Sequence, residues 1–406
     1  MNQKHILIRK IPIIFIIFAI VITSVLGNPI TASCEENGLN VTSDAAVVIE
    51  GSTGAILYEK NKDKELIPAS ITKIMTLILI FEAIDSGKIS LTDNVTVSEY
   101  AASMGGSQVF LEPGETQTVD TMIKCISIAS ANDACVAMSE LIAGSEPAFV
   151  EMMNKKAAEL GMVHTHFMNC NGLDDTIESG HYTSAYDVAL MSRELIMKHP
   201  QISNYSTVWM DTITHVNRKG ESKEFGLTNT NKLVRTYDGI TGLKTGSTAK
   251  AKYCLSASAR RNNMDIIAVV MAAPDHKTRF SLAASLLDFG FGNCNLYTDN
   301  HEEFVCTPIK LKKSLIKELE YEPEGSYSHV FVNGEDESQI TKEIKIPELL
   351  EAPIAAGDKI GTIEYYYSGT SIGSVGLVAK NDAPEASFTD YFGALIKSYI
   401  SLRYFS

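Results

Sequence analysis

Apolar and polar residues alternate along the chain in a way that predicts strands at both ends of a first, larger region. An apolar run from Ala45, the turn Gly51-Ser52-Thr53-Gly54 and a second run to Lys60 predict a β-hairpin. Three more extended segments follow at 239–247, 251–259 and 264–272. Because helical sequence separates these two sets, we expect an antiparallel sheet whose first and last strands pair around a helical insertion.

Helical periodicity fills the interval between the strands. A helix from Ser70 to about Ser86 is too densely apolar for a surface helix and should be buried. Residues 118–160 indicate three helices with breaks at 130–132 and 144–145, and further helices should cover about 184–198 and 276–287. The region from 40 to 290 is therefore predicted to be one α+β domain.

A different pattern follows that domain. Residues 293–383 show short alternating strands with Gly and Pro turns, which predicts a small all-β domain. Residues 387–406 then place apolar side chains at helical spacing and predict an amphipathic helix, with Phe388, Tyr391, Phe392, Leu395, Ile396, Tyr399 and Ile400 on one face. This helix is too short and interrupted to span a bilayer, so we expect it to lie in the membrane surface, the alternative being that it docks on the protein.

The N-terminus predicts export. Three basic residues precede an apolar stretch from Ile11 to Leu26 and then small and polar residues, so residues 1–32 resemble a signal peptide with cleavage after Gly27 or Ala32. An uncleaved signal anchor is the alternative. Lipidation at Cys34 is disfavoured because Thr31 stands where an aliphatic residue is expected. The expected location is the outer face of the cytoplasmic membrane, as a peripheral protein.

Composition narrows the chemistry. A formal net charge of -14 and the absence of a long Lys/Arg cluster argue against a nucleic-acid partner. The seven cysteines form no CxxC pair and no Cys/His metal spacing, so no metal or other cofactor is predicted. We expect mostly buried free thiols, with a Cys125–Cys135 bridge left open.

Three short motifs carry the candidate chemistry. Ser70 and Lys73 are three residues apart at a helix start, which lets a basic amine touch a hydroxyl. Ser-x-x-Lys also occurs at Ser247 and Ser314, so the first match gains weight only from Ser130-Ala131-Asn132 in a helix break and Lys244-Thr245-Gly246 on a strand. This ordered set is the signature of penicillin-binding proteins and serine β-lactamases.

Each residue type suits a step of acyl transfer. Ser130 can relay a proton between Lys73 and a leaving amine, and Asn132 can hold Lys73 and donate to a substrate carbonyl. The cation of Lys244 should lower the pKa of Lys73 and, with Thr245, attract a substrate carboxylate. Gly246 leaves room for a peptide along the strand, and the backbone N–H groups of Ser247 and Ser70 are the expected oxyanion hole.

On these motifs the chain resembles the low-molecular-weight penicillin-binding proteins of the D-alanyl-D-alanine carboxypeptidase family, peptidase family S11, over roughly residues 40–385. Further matching runs are 68–76, 110–114, 131–134, 181–187 and 242–246. The resemblance implies a β-lactamase/transpeptidase-like catalytic domain, a small β-sandwich domain and a C-terminal amphipathic anchor. It also implies that Arg279 helps to bind the substrate's terminal carboxylate, the alternative being a surface ion pair. Ala131 stands where many relatives have Gly, a mild departure.

The resemblance implies a serine-type D-Ala-D-Ala carboxypeptidase that removes the terminal D-Ala from peptidoglycan stem pentapeptides. Ser70 would form the acyl-enzyme, and β-lactam antibiotics would acylate the same residue. One alternative is a serine β-lactamase, against which the tail domain and terminal helix argue. Another is a catalytically idle wall-binding protein of the same fold, against which the intact motif set argues.

Overall fold

The computed structural model describes residues 39–175, 177–216, 220–332 and 334–404 of the 406-residue chain. The predicted signal peptide and Cys34 lie outside these residues. Nine α-helices occur in the described part, and in chain order they are α1 (Lys73–Asp85), α2 (Glu99–Ala102), α3 (Val119–Ile128), α4 (Asn132–Ala143), α5 (Glu146–Glu159), α6 (Ala185–Lys198), α7 (Ser203–Ser206), α8 (His276–Asn293) and α9 (Phe388–Tyr404).

The described strands fall into a set before α8 and a set after it. The first set is β1 (Ala45–Glu50), β2 (Ile56–Lys60), β3 (Asn94–Thr96), β4 (Thr116–Thr118), β5 (Met210–Val216), β6 (Ser222–Thr228), β7 (Ile240–Thr248), β8 (Lys252–Arg261) and β9 (Met264–Ala273). The second set is β10 (Cys294–Asp299), β11 (Ile309–Lys312), β12 (Glu318–Leu319), β13 (Tyr321–Pro323), β14 (Tyr327–Val332), β15 (Ile340–Lys345), β16 (Leu349–Glu351), β17 (Lys359–Tyr367) and β18 (Thr370–Ala379).

A five-stranded antiparallel sheet, in the order β2-β1-β9-β8-β7, organises the larger region. The first and last strands of this sheet in chain order, β1 and β9, pair as predicted, with Ala45 opposite Met271. Alternate residues of β1 and β9 point to opposite faces, and each face meets a separate apolar core. The helical insertion covers one face and α8 covers the other, so all six residues of β1 are buried.

Helix α1 is the buried helix that the sequence predicted. Ten of its thirteen residues are buried, among them the charged Lys73. Residues 69–72 form a 3₁₀ turn rather than the first α-helical turn, so the predicted start at Ser70 is three residues early. Helix α8 continues to Asn293, six residues beyond its predicted end, because Leu286, Leu287 and Phe289 keep its apolar face on the sheet.

Two hairpins were not resolved in the sequence pattern. Strands β3 and β4 pair over three residues, and β5 and β6 pair over seven. Few side chains of the second hairpin are buried, so its sequence is mostly polar and does not show where its two strands begin and end. Its Thr214 accepts a hydrogen bond from Gln117, which attaches the hairpin to β4.

Residues after α8 form the predicted all-β region. Two of its sheets have the orders β12-β11-β16 and β13-β18-β17-β15, and β10 pairs with β14. A third apolar core fills the region, with Tyr365 and Leu377 fully buried. Tyr365 stacks on Tyr327 with ring centroids 3.7 Å apart.

Helix α9 presents its apolar face away from the rest of the chain. Between 41% and 82% of the surface of each of its seven large apolar residues from Phe388 to Ile400 is exposed. The hydroxyl of Tyr391 contacts the main-chain oxygen of Ser314 at the base of the helix. In the described residues, no helix has the length and apolar character needed to cross a membrane.

The six described cysteines are all free thiols. Five are buried and Cys306 is partly exposed, as the composition suggested. Cys125 and Cys135, for which a bridge was left open, are not joined.

Candidate active site

A tight turn presents Ser70 at the start of the buried helix. Ala69 has a φ of 47°, outside the right-handed helical region, so the chain enters the turn at a sharp angle. Ser70 itself is half-buried. Lys73 Nζ lies 2.9 Å from Ser70 Oγ, the contact that the three-residue spacing predicted.

Lys73 is fully buried among three oxygen acceptors. Besides Ser70 Oγ, its Nζ lies 2.6 Å from Asn132 Oδ1 and 2.7 Å from the main-chain oxygen of Asn171. Burial lowers the pKa of Lys73, since the charged form loses its hydration. A neutral amine has two hydrogens and one lone pair, so it can donate to Asn132 and Asn171 and direct its lone pair at the Ser70 hydroxyl. This geometry suits a general base.

The segment Ser130-Ala131-Asn132 is the break between α3 and α4, as predicted. Ser130 has a φ of 62°, and Asn132 is the first residue of α4. The side-chain nitrogen of Asn132 donates to Gly105 O at 2.7 Å, and its backbone N–H donates to Ser107 O at 2.7 Å. Because the amide nitrogen is bound to a carbonyl, the amide oxygen is left to face Lys73.

Lys244 joins this group from β7, one of the two edge strands of the sheet. Its Nζ donates to Ser130 Oγ at 2.9 Å and to Thr245 O at 3.0 Å. The pKa of Lys244 lies well below its ordinary value, first because of burial and second because of repulsion from Lys73. For Lys73 burial is the cause of the lowered pKa, so the effect that the sequence expected Lys244 to have on Lys73 is instead an effect of Lys73 on Lys244.

Strand β7 lies directly against the Ser70 turn at Gly246. A Cβ on this residue would come within 2.8 Å of Pro68 O and 3.0 Å of Ile71 N, so a side chain would push the strand and the turn apart. Ser247, the next residue, is exposed. The sequence assigned Gly246 to substrate access, and the structure adds this close approach of two backbones.

Arg279, the fourth residue of α8, reaches back to the same strand. Its Nη1 donates to Gly246 O at 3.2 Å and to Cys254 O at 3.4 Å, and only 4% of the residue is exposed. Its Nε is buried and has no hydrogen-bond partner among the described residues. The residue is thus not a surface ion pair, and it places a cation beside Lys244-Thr245-Gly246.

Two residues at the site were missed by the sequence. Asn171 contributes a main-chain oxygen, which no side-chain motif identifies. Thr230 accepts a hydrogen bond from the Thr245 hydroxyl at 2.7 Å. It lies between Asn229 and Asn231, whose side chains bond nearby backbone groups, and this Asn-Thr-Asn run was an available signal of a structured turn.

Comparison with known families decides the class. The family model described as D-alanyl-D-alanine carboxypeptidase, peptidase S11, matches residues 31–275. The chain belongs to this carboxypeptidase family. A second model, the C-terminal domain of penicillin-binding protein 5, matches residues 309–385. Membership of peptidase family S11 makes the chain a serine-type D-alanyl-D-alanine carboxypeptidase, as the resemblance implied, and confirms the two-part α+β and all-β fold.

Individual family S11 carboxypeptidases resemble the chain over most of its length. The D-alanyl-D-alanine carboxypeptidase DacF of Bacillus subtilis is 45% identical over 347 residues, which cover 86% of this chain and 87% of DacF. DacA of Escherichia coli is 32% identical over 90% of this chain and 88% of its own. The crystal structure of penicillin binding protein 5 from Haemophilus influenzae superposes with a TM-score of 0.72 at 30% identity and covers 86% of this chain and 99% of its own.

Proposed function

We propose that Ser70 is the nucleophile that cleaves the terminal D-Ala from peptidoglycan stem pentapeptides. Neutral Lys73 takes the proton of the Ser70 hydroxyl while Oγ attacks the carbonyl carbon of the penultimate D-Ala. The tetrahedral oxyanion is held by the backbone N–H groups of Ser70 and Ser247. The observation that carries this proposal is the hydrogen-bonded contact of the buried Lys73 Nζ with Ser70 Oγ at 2.9 Å.

Ser130 completes the acylation step in this proposal. It accepts a hydrogen bond from Lys244, so its own hydroxyl hydrogen is available to the leaving nitrogen. Ser130 gives that hydrogen to the departing D-Ala amine and regains one from the Lys73 ammonium. The C–N bond breaks, the acyl group stays on Ser70, and water then hydrolyses the ester to restore the enzyme.

Lys244, Thr245 and Arg279 are proposed to recognise the substrate's terminal carboxylate. Two buried cations and a hydroxyl converge on one stretch of β7, where a carboxylate would offset their mutual repulsion. Asn132 is proposed to hold Lys73 and to donate to the substrate amide carbonyl. No cofactor enters this scheme.

Covalent labelling with a fluorescent penicillin tests the nucleophile. Substitution Ser70→Ala should abolish labelling and D-Ala release, because Ser70 supplies the hydroxyl that contacts the Lys73 amine. Ser314→Ala is the matched control, since Ser314 and Lys317 repeat the Ser-x-x-Lys spacing in the all-β region. Retained labelling of the Ser70→Ala protein would overturn the assignment.

The same assay separates the alternatives. A carboxypeptidase should form a long-lived penicilloyl-enzyme and release D-Ala from a pentapeptide, whereas a β-lactamase would lose the label quickly by hydrolysis. An idle wall-binding protein would do neither. Mass spectrometry of the pentapeptide products, with and without penicillin, identifies the carboxypeptidase, and turnover of the penicillin separates a β-lactamase from an idle protein.

We further propose that the enzyme works as a peripheral protein on the outer face of the cytoplasmic membrane, exported by residues 1–32 and bound by α9. The exposed apolar side chains of α9 support surface binding over docking on the protein. Removal of residues 387–406 should abolish co-sedimentation with anionic lipid vesicles while penicillin labelling continues. Unchanged vesicle binding after the truncation would refute this role of the helix.

A further inference from the structure

A directed chain of hydrogen bonds runs from His181 to the turn that carries Ser70. The backbone N–H of Met168 donates to His181 Nδ1 at 3.0 Å. His181 Nε2 lies 2.9 Å from Thr72 Oγ1, and the Thr72 hydroxyl donates to Ala69 O at 2.8 Å. A backbone N–H can only donate, so Nδ1 must accept, and the hydrogen of the neutral ring sits on Nε2. The hydrogen bonds therefore run in one direction, from the Met168 N–H to His181, from His181 to Thr72, and from Thr72 to Ala69 O.

The surroundings of His181 keep this tautomer in place. Only 4% of the residue is exposed, and its ring meets Phe167 edge-on at a centroid distance of 6.0 Å. Burial, with a smaller contribution from His166, lowers the pKa of His181 to about 4 against the opposing effect of Asp174. The ring is thus neutral near pH 7. Protonation would remove the acceptor that the Met168 N–H requires.

The segment that ends at His181 contacts the nucleophile turn at further points. Gly172, with a φ of 82°, lies so close to the turn that an added Cβ would come within 1.8 Å of Ala69 O. The main-chain oxygen of Asn171 binds Lys73, and that of Cys170 accepts the Thr76 hydroxyl. Residues 168–172 and the His181 side chain therefore form the surface against which the Ser70 turn and the start of α1 are held.

We propose that His181 is a positioning residue for Ser70, acting through Thr72 and Ala69 and without touching the substrate. The proposal rests on Ser70 being the nucleophile. Ala69 has a positive φ, which an alanine holds only under constraint, and the Thr72 hydroxyl that binds its carbonyl is itself fixed by His181. Loss of the imidazole leaves the Thr72 hydroxyl free to rotate. The turn can then shift, and Ser70 Oγ moves out of the position from which it attacks the substrate carbonyl.

The test is the rate of acylation of the full-length protein by a fluorescent penicillin. His181→Phe keeps a ring against Phe167 but removes both hydrogen bonds, and it should slow the first-order acylation step about 10- to 100-fold while leaving the noncovalent dissociation constant near its wild-type value. His181→Gln carries both a donor and an acceptor and should restore most of the rate. Thr72→Val should cause a loss similar to that of His181→Phe.

A matched control separates positioning from general destabilisation. His199 is also a buried histidine, 5% exposed, and it bonds Asp85 and stacks on Phe81 at the other end of α1. His199→Phe should lower thermal stability without changing the acylation rate constant. The double variant Thr72→Val/His181→Phe should acylate no more slowly than the slower single variant, because both changes break one chain.

Several outcomes would overturn the positioning role. These are wild-type acylation by His181→Phe, no difference between the Phe and Gln variants, or an equal slowing by His199→Phe. If His181→Phe fails to fold, wild-type acylation by Thr72→Val overturns it instead. Failure of the nucleophile assignment is distinct, since Ser70→Ala would then still be labelled.

Discussion

Substitution Gly172→Ala should disable the enzyme through geometry alone. The new Cβ would lie 1.8 Å from Ala69 O and 2.8 Å from Thr72 Oγ1, where ordinary contacts begin at 3.4 Å. The nearer obstacle is backbone and cannot rotate away, so the loop or the Ser70 turn must move by about 1.6 Å. A misplacement of about 1 Å at a reacting group costs on the order of 100-fold in rate. We therefore expect acylation by penicillin to slow by at least about 100-fold.

Gly161→Ala isolates the part of this effect that comes from backbone conformation. Gly161 has a φ of 73°, close to the 82° of Gly172, but an added Cβ there would meet nothing within 4 Å. Both variants incur about 1 kcal/mol for an alanine at positive φ. Stopped-flow acylation, measured well below each melting temperature, should then show a large loss for Gly172→Ala only. Equal rates for the two variants would refute the claim that this loop holds the turn in place.

Three further predictions follow from burial. The pKa of His181 is near 6.5 in the unfolded state and about 4 in the folded state. As pH falls through this interval, the free energy of unfolding of the wild type should therefore drop by about 3 kcal/mol relative to that of His181→Gln. Urea unfolding at pH 7.5 and 4.5 measures this difference, and an equal loss of stability in the two proteins would contradict the prediction. Burial raises the pKa of Cys135 to about 12 and that of Cys254 to about 11, so in the native protein a thiol reagent should modify Cys306 before either, as peptide mapping would reveal. Leu377→Ala empties part of the third core and should destabilise the all-β region by about 2–5 kcal/mol while the penicillin acylation rate stays unchanged; a slowed rate would show that the two regions do not behave as separate domains.

The sequence predicted the fold where periodicity is strong. The continuous apolar run of β1 and the dense apolar face of α1 each have only one stable environment, a buried one, so their types were unambiguous. The β5–β6 hairpin was not resolved, because its exposed faces give no alternation of apolar and polar residues. The end of α8 was misjudged because Gly290 and Gly292 are residues that disfavour a helix, whereas in the structure Gly290 lets the helix pack closely on Ile266 of the sheet.

In the candidate site, the sequence predicted the side chains but not the contributions of the backbone. Side-chain motifs named Ser70, Lys73, Ser130, Asn132 and Lys244, and the structure joins them by hydrogen bonds of 2.6–2.9 Å in two sets, Lys73 with Ser70 and Asn132, and Lys244 with Ser130. Contributions from the backbone could not be predicted in this way, because a carbonyl oxygen such as that of Asn171 carries no residue identity. The sequence also attributed the lowered pKa of Lys73 to the cation of Lys244. Burial is the cause in the structure, and burial depends on packing that residue spacing alone does not reveal.

The pairing of β1 with β9 has a consequence for how the enzyme acquires activity. Ala45 and Met271 are neighbours in the sheet but 226 residues apart in the chain, so the sheet closes by a contact of very high sequence separation. Helices of the insertion can form from local contacts long before that closure, whereas β7 and its Lys244 reach the Ser70 turn only as part of the finished sheet. Penicillin labelling of a refolding chain would therefore report closure of the sheet rather than formation of the helices, and a chain that ends before β9 would carry the Ser70 motif without reactivity.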